Sequence, residues 1–99
     1  MSAEVTVRVP TILRTYTGGE AEVTVDPSST SGGETLAGVL EALEANHPGI
    51  KARILDDSGA LRRFVNVYVD EEDVRFAEGL ATPTPAGTQI SVIPAVAGG

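Results

Sequence analysis

Valine recurs at every second position in three runs of this 99-residue chain: Val5, Val7 and Val9; Val23 and Val25; and Val65, Val67 and Val69. Period two is the period of a β-strand, whose alternate side chains point to opposite faces. β-Branched residues pack well on a pleated surface. Each run therefore predicts a strand with one apolar face that needs a cover. One segment has the pattern to supply it. Thr35 can cap a helix, and Leu36, Val39, Leu40 and Leu43 follow at i, i+3, i+4 and i+7 on one helical face. Glu41 and Glu44 point elsewhere. The helix should stop near Asn46, because Pro48 biases the residues before it away from helical angles and Gly49 follows.

The remaining elements fall between turn signals. Pro10 cannot donate to a ladder and should close the first strand. Thr17-Gly18-Gly19-Glu20 is turn chemistry, so residues 4–26 read as an antiparallel hairpin with a long connection. Ile50–Leu55 reads as a further helical turn, and Asp56-Asp57-Ser58-Gly59 reverses the chain. Arg63–Val69 is the clearest strand, with Phe64, Asn66 and Tyr68 on the face opposite the valines. Asp70-Glu71-Glu72-Asp73 reads as a solvated hairpin turn before a short strand at Val74-Arg75-Phe76. Thr82–Gly87 is a rigid connection, Thr88–Ile93 a last strand, and Pro94 the end of its pairing. A right-handed crossover through the helix would set the third strand parallel to a strand of the first hairpin. The expected fold is α+β: a mixed four- to five-stranded sheet packed on one main helix, the β-grasp or ubiquitin-like layout. Residues 1–94 form the domain, and residues 95–99 a flexible diglycine tail.

Charge and composition remove several function classes. Seven Lys plus Arg against fourteen Asp plus Glu leave a net charge of −7, which repels nucleic acid and anionic membranes and suits a partner with a basic docking surface. The absence of cysteine removes disulfides, thiolate metal sites and any thiol relay within the chain. No stretch approaches a membrane span and no secretory signal opens the chain, so a soluble, cytoplasmic protein is expected. The serines of Pro27–Gly33 lack the flanking pattern of a nucleophile elbow. His47 lies in the helix stop signal without a nearby partner, as a capping or exposed residue. The four acids from Asp70 to Asp73 lack the alternate spacing and central glycine of a calcium loop. No metal site is expected.

What remains is the end, Ala95-Val96-Ala97-Gly98-Gly99. Two residues without Cβ make a thin tail that can thread a narrow cleft and let another backbone approach closely. Such a tail delivers the Gly99 carboxyl to another protein's active site, with Gly98 allowing passage and Pro94–Ala97 read by the partner as an extended strand. Phe64, Tyr68 and Ile93 are candidates for an apolar docking patch on the sheet.

At this point the sequence resembles the MoaD/ThiS family of ubiquitin-like bacterial sulfur carriers, and within it the CysO-type branch of actinobacterial cysteine biosynthesis. The resemblance is carried by Val9–Arg14, Thr17-Gly18-Gly19, Leu43–Asn46, Arg63–Val69, Glu72–Phe76, Gly79–Thr82 and Ile93–Gly99. It spans nearly the whole chain, with Asp26–Gly33 least matched. The chain departs from the family at Ala86-Gly87-Thr88, where related carriers often have an Asp-Gly-Asp-like run. The resemblance implies a carrier, not an enzyme, with no bound cofactor. An E1-like adenylating enzyme would consume ATP to activate Gly99, and sulfur would then enter as a terminal thiocarboxylate. It further implies a PLP-dependent cysteine synthase as acceptor and a zinc metalloprotease that releases cysteine. A monomer is expected, because a carrier must expose its tail. Sulfur delivery to molybdopterin, thiamine or a secondary metabolite, a ubiquitin-like modifier of lysines, and a plain β-grasp binding module are the alternatives.

Overall fold

The computed structural model describes residues 3–63 and 65–94. Strand β1 (Val5–Arg8) and strand β2 (Glu22–Val25) form the antiparallel hairpin, with Val7 opposite Val23. Their connection carries a 3-10 helix over Thr11–Thr17. Helix α1 (Leu36–Asn46) follows, then the single turn α2 (Lys51–Ile54), strand β3 (Val65–Val69), strand β4 (Glu72–Asp73) and strand β5 (Gln89–Pro94). The five-stranded sheet has the order β2-β1-β5-β3-β4.

The pattern that predicts these elements also packs them. Val5, Val7, Val23, Val25, Val67, Val69, Ile90 and Val92 turn one face of the sheet inward, and Leu36, Val39, Leu40 and Leu43 of α1 are completely buried in the same core. The Thr35 hydroxyl accepts the Gly38 N–H and caps α1 as expected. α1 ends at Asn46, and the His47 N–H donates to the Leu43 carbonyl. Ile50, Ile54 and Leu55 anchor the turn after the helix.

Three details depart from the sequence reading. The parallel neighbour of β1 is β5, because β5 inserts between β1 and β3. β3 therefore runs in the direction of β2 without pairing to it. The short strand is Glu72–Asp73, directly opposite Val69 and Tyr68. Asp70 and Glu71 both take positive φ (49° and 74°) in a two-residue hairpin turn of the kind that twists with its strands. Val74–Phe76 is instead a 3-10 turn, capped by the Asp73 carboxylate on the Arg75 N–H. Pro94 pairs opposite Val65 as the last residue of β5.

Candidate functional site

The site lies where β5 approaches the tail. Thr6 N–H donates to the Thr88 carbonyl across the parallel pair at 3.1 Å. Backbone groups alternate along a strand, so Ile90, Val92 and Pro94 also turn toward β1. The register runs only as far as Arg8 opposite Ser91. Beyond it, Pro10 and Pro94 both lack an N–H, so two prolines on facing strands stop one ladder. The chain after Pro10 turns aside into its 3-10 helix, and Val9 N–H pairs with the Ala21 carbonyl at 2.7 Å. A cleft of about 460 Å³ opens there.

Val9, Pro10, Ala21, Val92, Ile93 and Pro94 supply its apolar walls, with Arg8, Arg14, Glu22 and Ser91 as the polar lining. Arg14 is held in place by its Nε–H, which donates to the Val9 carbonyl at 3.1 Å. Arg8 and Glu22 form an ion pair at 3.5 Å, with both side chains more than half exposed. A pair that open to solvent adds little stability, so it shapes the rim rather than holding the fold.

On the other side of β5, the register places Asn66 opposite Ile93 and Tyr68 opposite Ser91, all on the face away from α1. Ile93 is 48% exposed and Tyr68 is half-buried. Arg75 crosses this corner. Its guanidinium donates to the Asn66 Oδ1 and to the Arg62 carbonyl, each at 2.7 Å, and so ties the start of β3 to the turn after β4. The structure thus brings Ile93 and Pro94 to one end of the sheet, while Tyr68, opposite Ser91, stands on the same face but toward the Asp70-Glu71 turn at the other end. The expected site residues Phe64, Ala95, Val96, Ala97, Gly98 and Gly99 lie outside the described residues. Sequence reasoning missed the cleft and its arginines. Pro10 and Pro94 were both legible as terminators, but only the register reveals that they terminate the same ladder.

The other polar clusters are structural staples. The Glu44 carboxylate accepts the Gly49 and Lys51 N–H groups, each at 2.9 Å, and these bonds hold it below the ordinary carboxylate range. The Ser31 hydroxyl and the Gly32 N–H donate to Glu41, whose carboxyl is likewise lowered. The Ser28 hydroxyl donates to Asp26. These serines therefore fasten loops, and their hydroxyl protons go to carboxylates. Among the described residues no group of three or more His, Asp or Glu side chains could hold a metal ion. No helix among them is long and apolar enough to cross a membrane. The chemistry this geometry permits is presentation: a sheet end with an apolar, arginine-lined surface beside Pro94.

Known proteins match this arrangement. The ThiS family model matches residues 7–99. The sulfur carrier protein CysO of Mycobacterium tuberculosis is 50% identical over 97 residues, covering 96% of this chain and 98% of that one. Its crystal structure superposes with a TM-score of 0.83 at 49% identity, over 93% of this chain and 99% of that one. The crystal structure of the BexX/CysO complex of Amycolatopsis orientalis contains a chain with a TM-score of 0.84 and 46% identity, over 96% of this chain and 99% of that one. Small archaeal modifier protein 1 of Haloferax volcanii is 33% identical over 81 residues, which cover 82% of this chain and 85% of that one. A family match over nearly the whole sequence and a shared ubiquitin-like fold lead to one conclusion: the chain belongs to the ThiS family, as a CysO-type sulfur carrier that is a substrate rather than an enzyme.

Proposed function

We propose that the carboxyl group of Gly99 carries the sulfur and that the sulfur serves cysteine biosynthesis in the cytoplasm. The observation that carries this reading is the family match reaching Gly99 itself, together with half-identity to a CysO along almost its full length. A carboxylate is a poor electrophile because its leaving group would be oxide. A Gly99 carboxylate oxygen attacks the α-phosphorus of ATP on an E1-like enzyme, and pyrophosphate leaves. Hydrosulfide then attacks the acyl carbon, and AMP departs with one of the original oxygens. The resulting thiocarboxylate is a soft, largely ionised nucleophile, in line with the rule that thiolate character sets sulfur reactivity. The partner supplies base and oxyanion stabilisation, and this chain supplies the docking face and the reacting end. The further partners are a PLP-dependent cysteine synthase and a zinc metalloprotease. On the synthase the sulfur takes the place of the leaving group of an activated serine derivative, and the Gly99 acyl group then shifts from sulfur to the new amine. The metalloprotease hydrolyses that amide to release cysteine and restore the Gly99 carboxylate. The solved complex of a carrier 46% identical to this one with BexX supports docking to a separate protein.

The test is intact-mass spectrometry after incubation with the activating enzyme, ATP and sulfide. A mass gain equal to exchanging one oxygen for one sulfur is expected. It should vanish when Gly99 is deleted, and also when one alanine is added after Gly99, because the activated carboxyl is then displaced. Sulfur uptake by the extended chain would overturn the assignment. A second reading, conjugation to protein lysines, is favoured by the likeness to an archaeal modifier protein. Isopeptide-linked conjugates in lysate, without thiocarboxylate, would support it.

A further inference from the structure

The net charge of −7 is spread very unevenly over the sheet. At one end stand Glu4, which precedes β1, Asp26, which follows β2, and the Asp70-Glu71 turn. At the other end stand five of the chain's six arginines. Arg8 and Arg14 line the cleft on the β1 side of Pro94. Arg62 and Arg63 are exposed just before Val65, the residue opposite Pro94. Arg75 is anchored between them and Ile93 through the Arg62 carbonyl and Asn66. Glu20, Glu22, Asp56 and Asp73 sit among these arginines. Arg8 is paired with Glu22, and Arg62 lies beside Asp56 with its Nε–H on the Ala52 carbonyl. That leaves Arg14, Arg63 and Arg75 without a carboxylate at ion-pair distance among the described residues. An acidic protein therefore sets a collar of three arginines free of ion pairs, Arg14, Arg63 and Arg75, around the root of its tail.

From this we infer that the collar is a docking element for carboxylates, the Asp and Glu side chains around the mouth of the enzyme channel that receives the tail. The inference rests on the carrier reading given above. Guanidinium groups match carboxylates in a planar fork, and screening at physiological salt confines such contacts to about 8 Å. The collar consequently senses the mouth of the channel, whereas the net charge acts on the partner as a whole. The five residues from Ala95 to Gly99 reach about 17 Å when extended, so a collar at Pro94 stays at the mouth while Gly99 reaches the nucleotide. That separation favours a protein rim over the phosphates of ATP as the occupant. For this end of the molecule, it reverses the basic docking surface that the net charge alone suggests.

The experiment is ATP–pyrophosphate exchange by the activating enzyme, with carrier concentration and salt varied. R14Q/R63Q is compared with A86E/Q89E, which makes the same change of two charges at the opposite end of the sheet. R8Q/R63Q serves as a second collar variant that spares the Arg14 bond to Val9, should R14Q/R63Q fail to fold. The collar variants should raise KM about 10-fold, leave kcat within about twofold and flatten the salt dependence of KM, as loss of interfacial charge pairs does. The A86E/Q89E control should stay within about twofold of wild type in KM. Unchanged KM in a folded collar variant, or an equal rise in the control, overturns the collar. Absence of any exchange with the wild-type chain overturns the carrier reading itself, and the collar with it.

Discussion

The two faces of the sheet are drawn from interleaved residues of the same strands, and they do different work. Val67, Ile90 and Val92 point at α1 and are buried with Leu40 and Leu43. Asn66, Ser91 and Ile93, one position along, point away from α1 and stay partly or well exposed. Burial of the first set supplies the stability, at roughly 1.5–3 kcal/mol for each large side chain fully removed from water. The second set is left free for recognition. A carrier needs this division, since the surface it offers to a partner must stay rigid without being buried in its own core. Stability and docking should then be separable by mutation, residue by residue.

The strongest attempt to break the division is Leu40→Ala. Leu40 is completely buried, so its truncation should cost about 3 kcal/mol from lost transfer energy and the cavity left behind. Urea unfolding measures that loss, while the adenylation KM, read well below the new melting point, should not move. The converse is Ile93→Ala on the open face. Its stability should change by no more than about 0.5 kcal/mol, the usual range for exposed sites. The KM should rise several-fold, and a variant that unfolds readily with unchanged KM would erase the distinction between the faces.

Smaller effects sharpen the picture of the buried side. Thr84 is fully buried, and its hydroxyl has no hydrogen-bond partner among the described residues. Thr84→Val removes an unsatisfied group at similar shape and should raise stability by about 1 kcal/mol, visible as a higher melting temperature. Glu44→Gln tests the staple between α1 and α2. The Glu44 carboxyl is lowered from its ordinary value of 4.5 by the Gly49 and then the Lys51 N–H. A lowered folded pKa means stability that is present above 4.5 and lost as pH falls through the folded value. Wild type should therefore melt above Glu44→Gln at neutral pH, and the gap should close on acidification below 4.5. A gap that persists in acid would assign the staple to packing instead.

Much of this fold is legible in the residues because local periodicity reports which face is buried. The α1 stripe, its Thr35 cap, the inward valines and the first hairpin all follow from patterns a few residues long. The misplaced short strand has an equally local cause. Asp70 and Glu71 adopt left-handed angles that favour glycine, and a turn there pairs Glu72-Asp73 rather than Val74–Phe76. Close approaches are hidden as well. Gly38 lies on α1 where a Cβ would collide with the Gly33 carbonyl oxygen, although helical periodicity alone marks the position as ordinary.

The residues alone were enough for the main helix, the long strands, their buried faces and the family, because alternation, helical spacing and the run into Gly99 are properties of the chain read in order. Tertiary structure decided which strands are neighbours. Only when β5 lies between β1 and β3 do Pro10 and Pro94 line one cleft, with Arg8 and Arg14 on one side of Pro94 and Arg63 and Arg75 toward the other. Those groups are far apart in sequence and carry no shared periodicity. What brings them together is the burial of one apolar sheet face under one helix, a global requirement that no local pattern records.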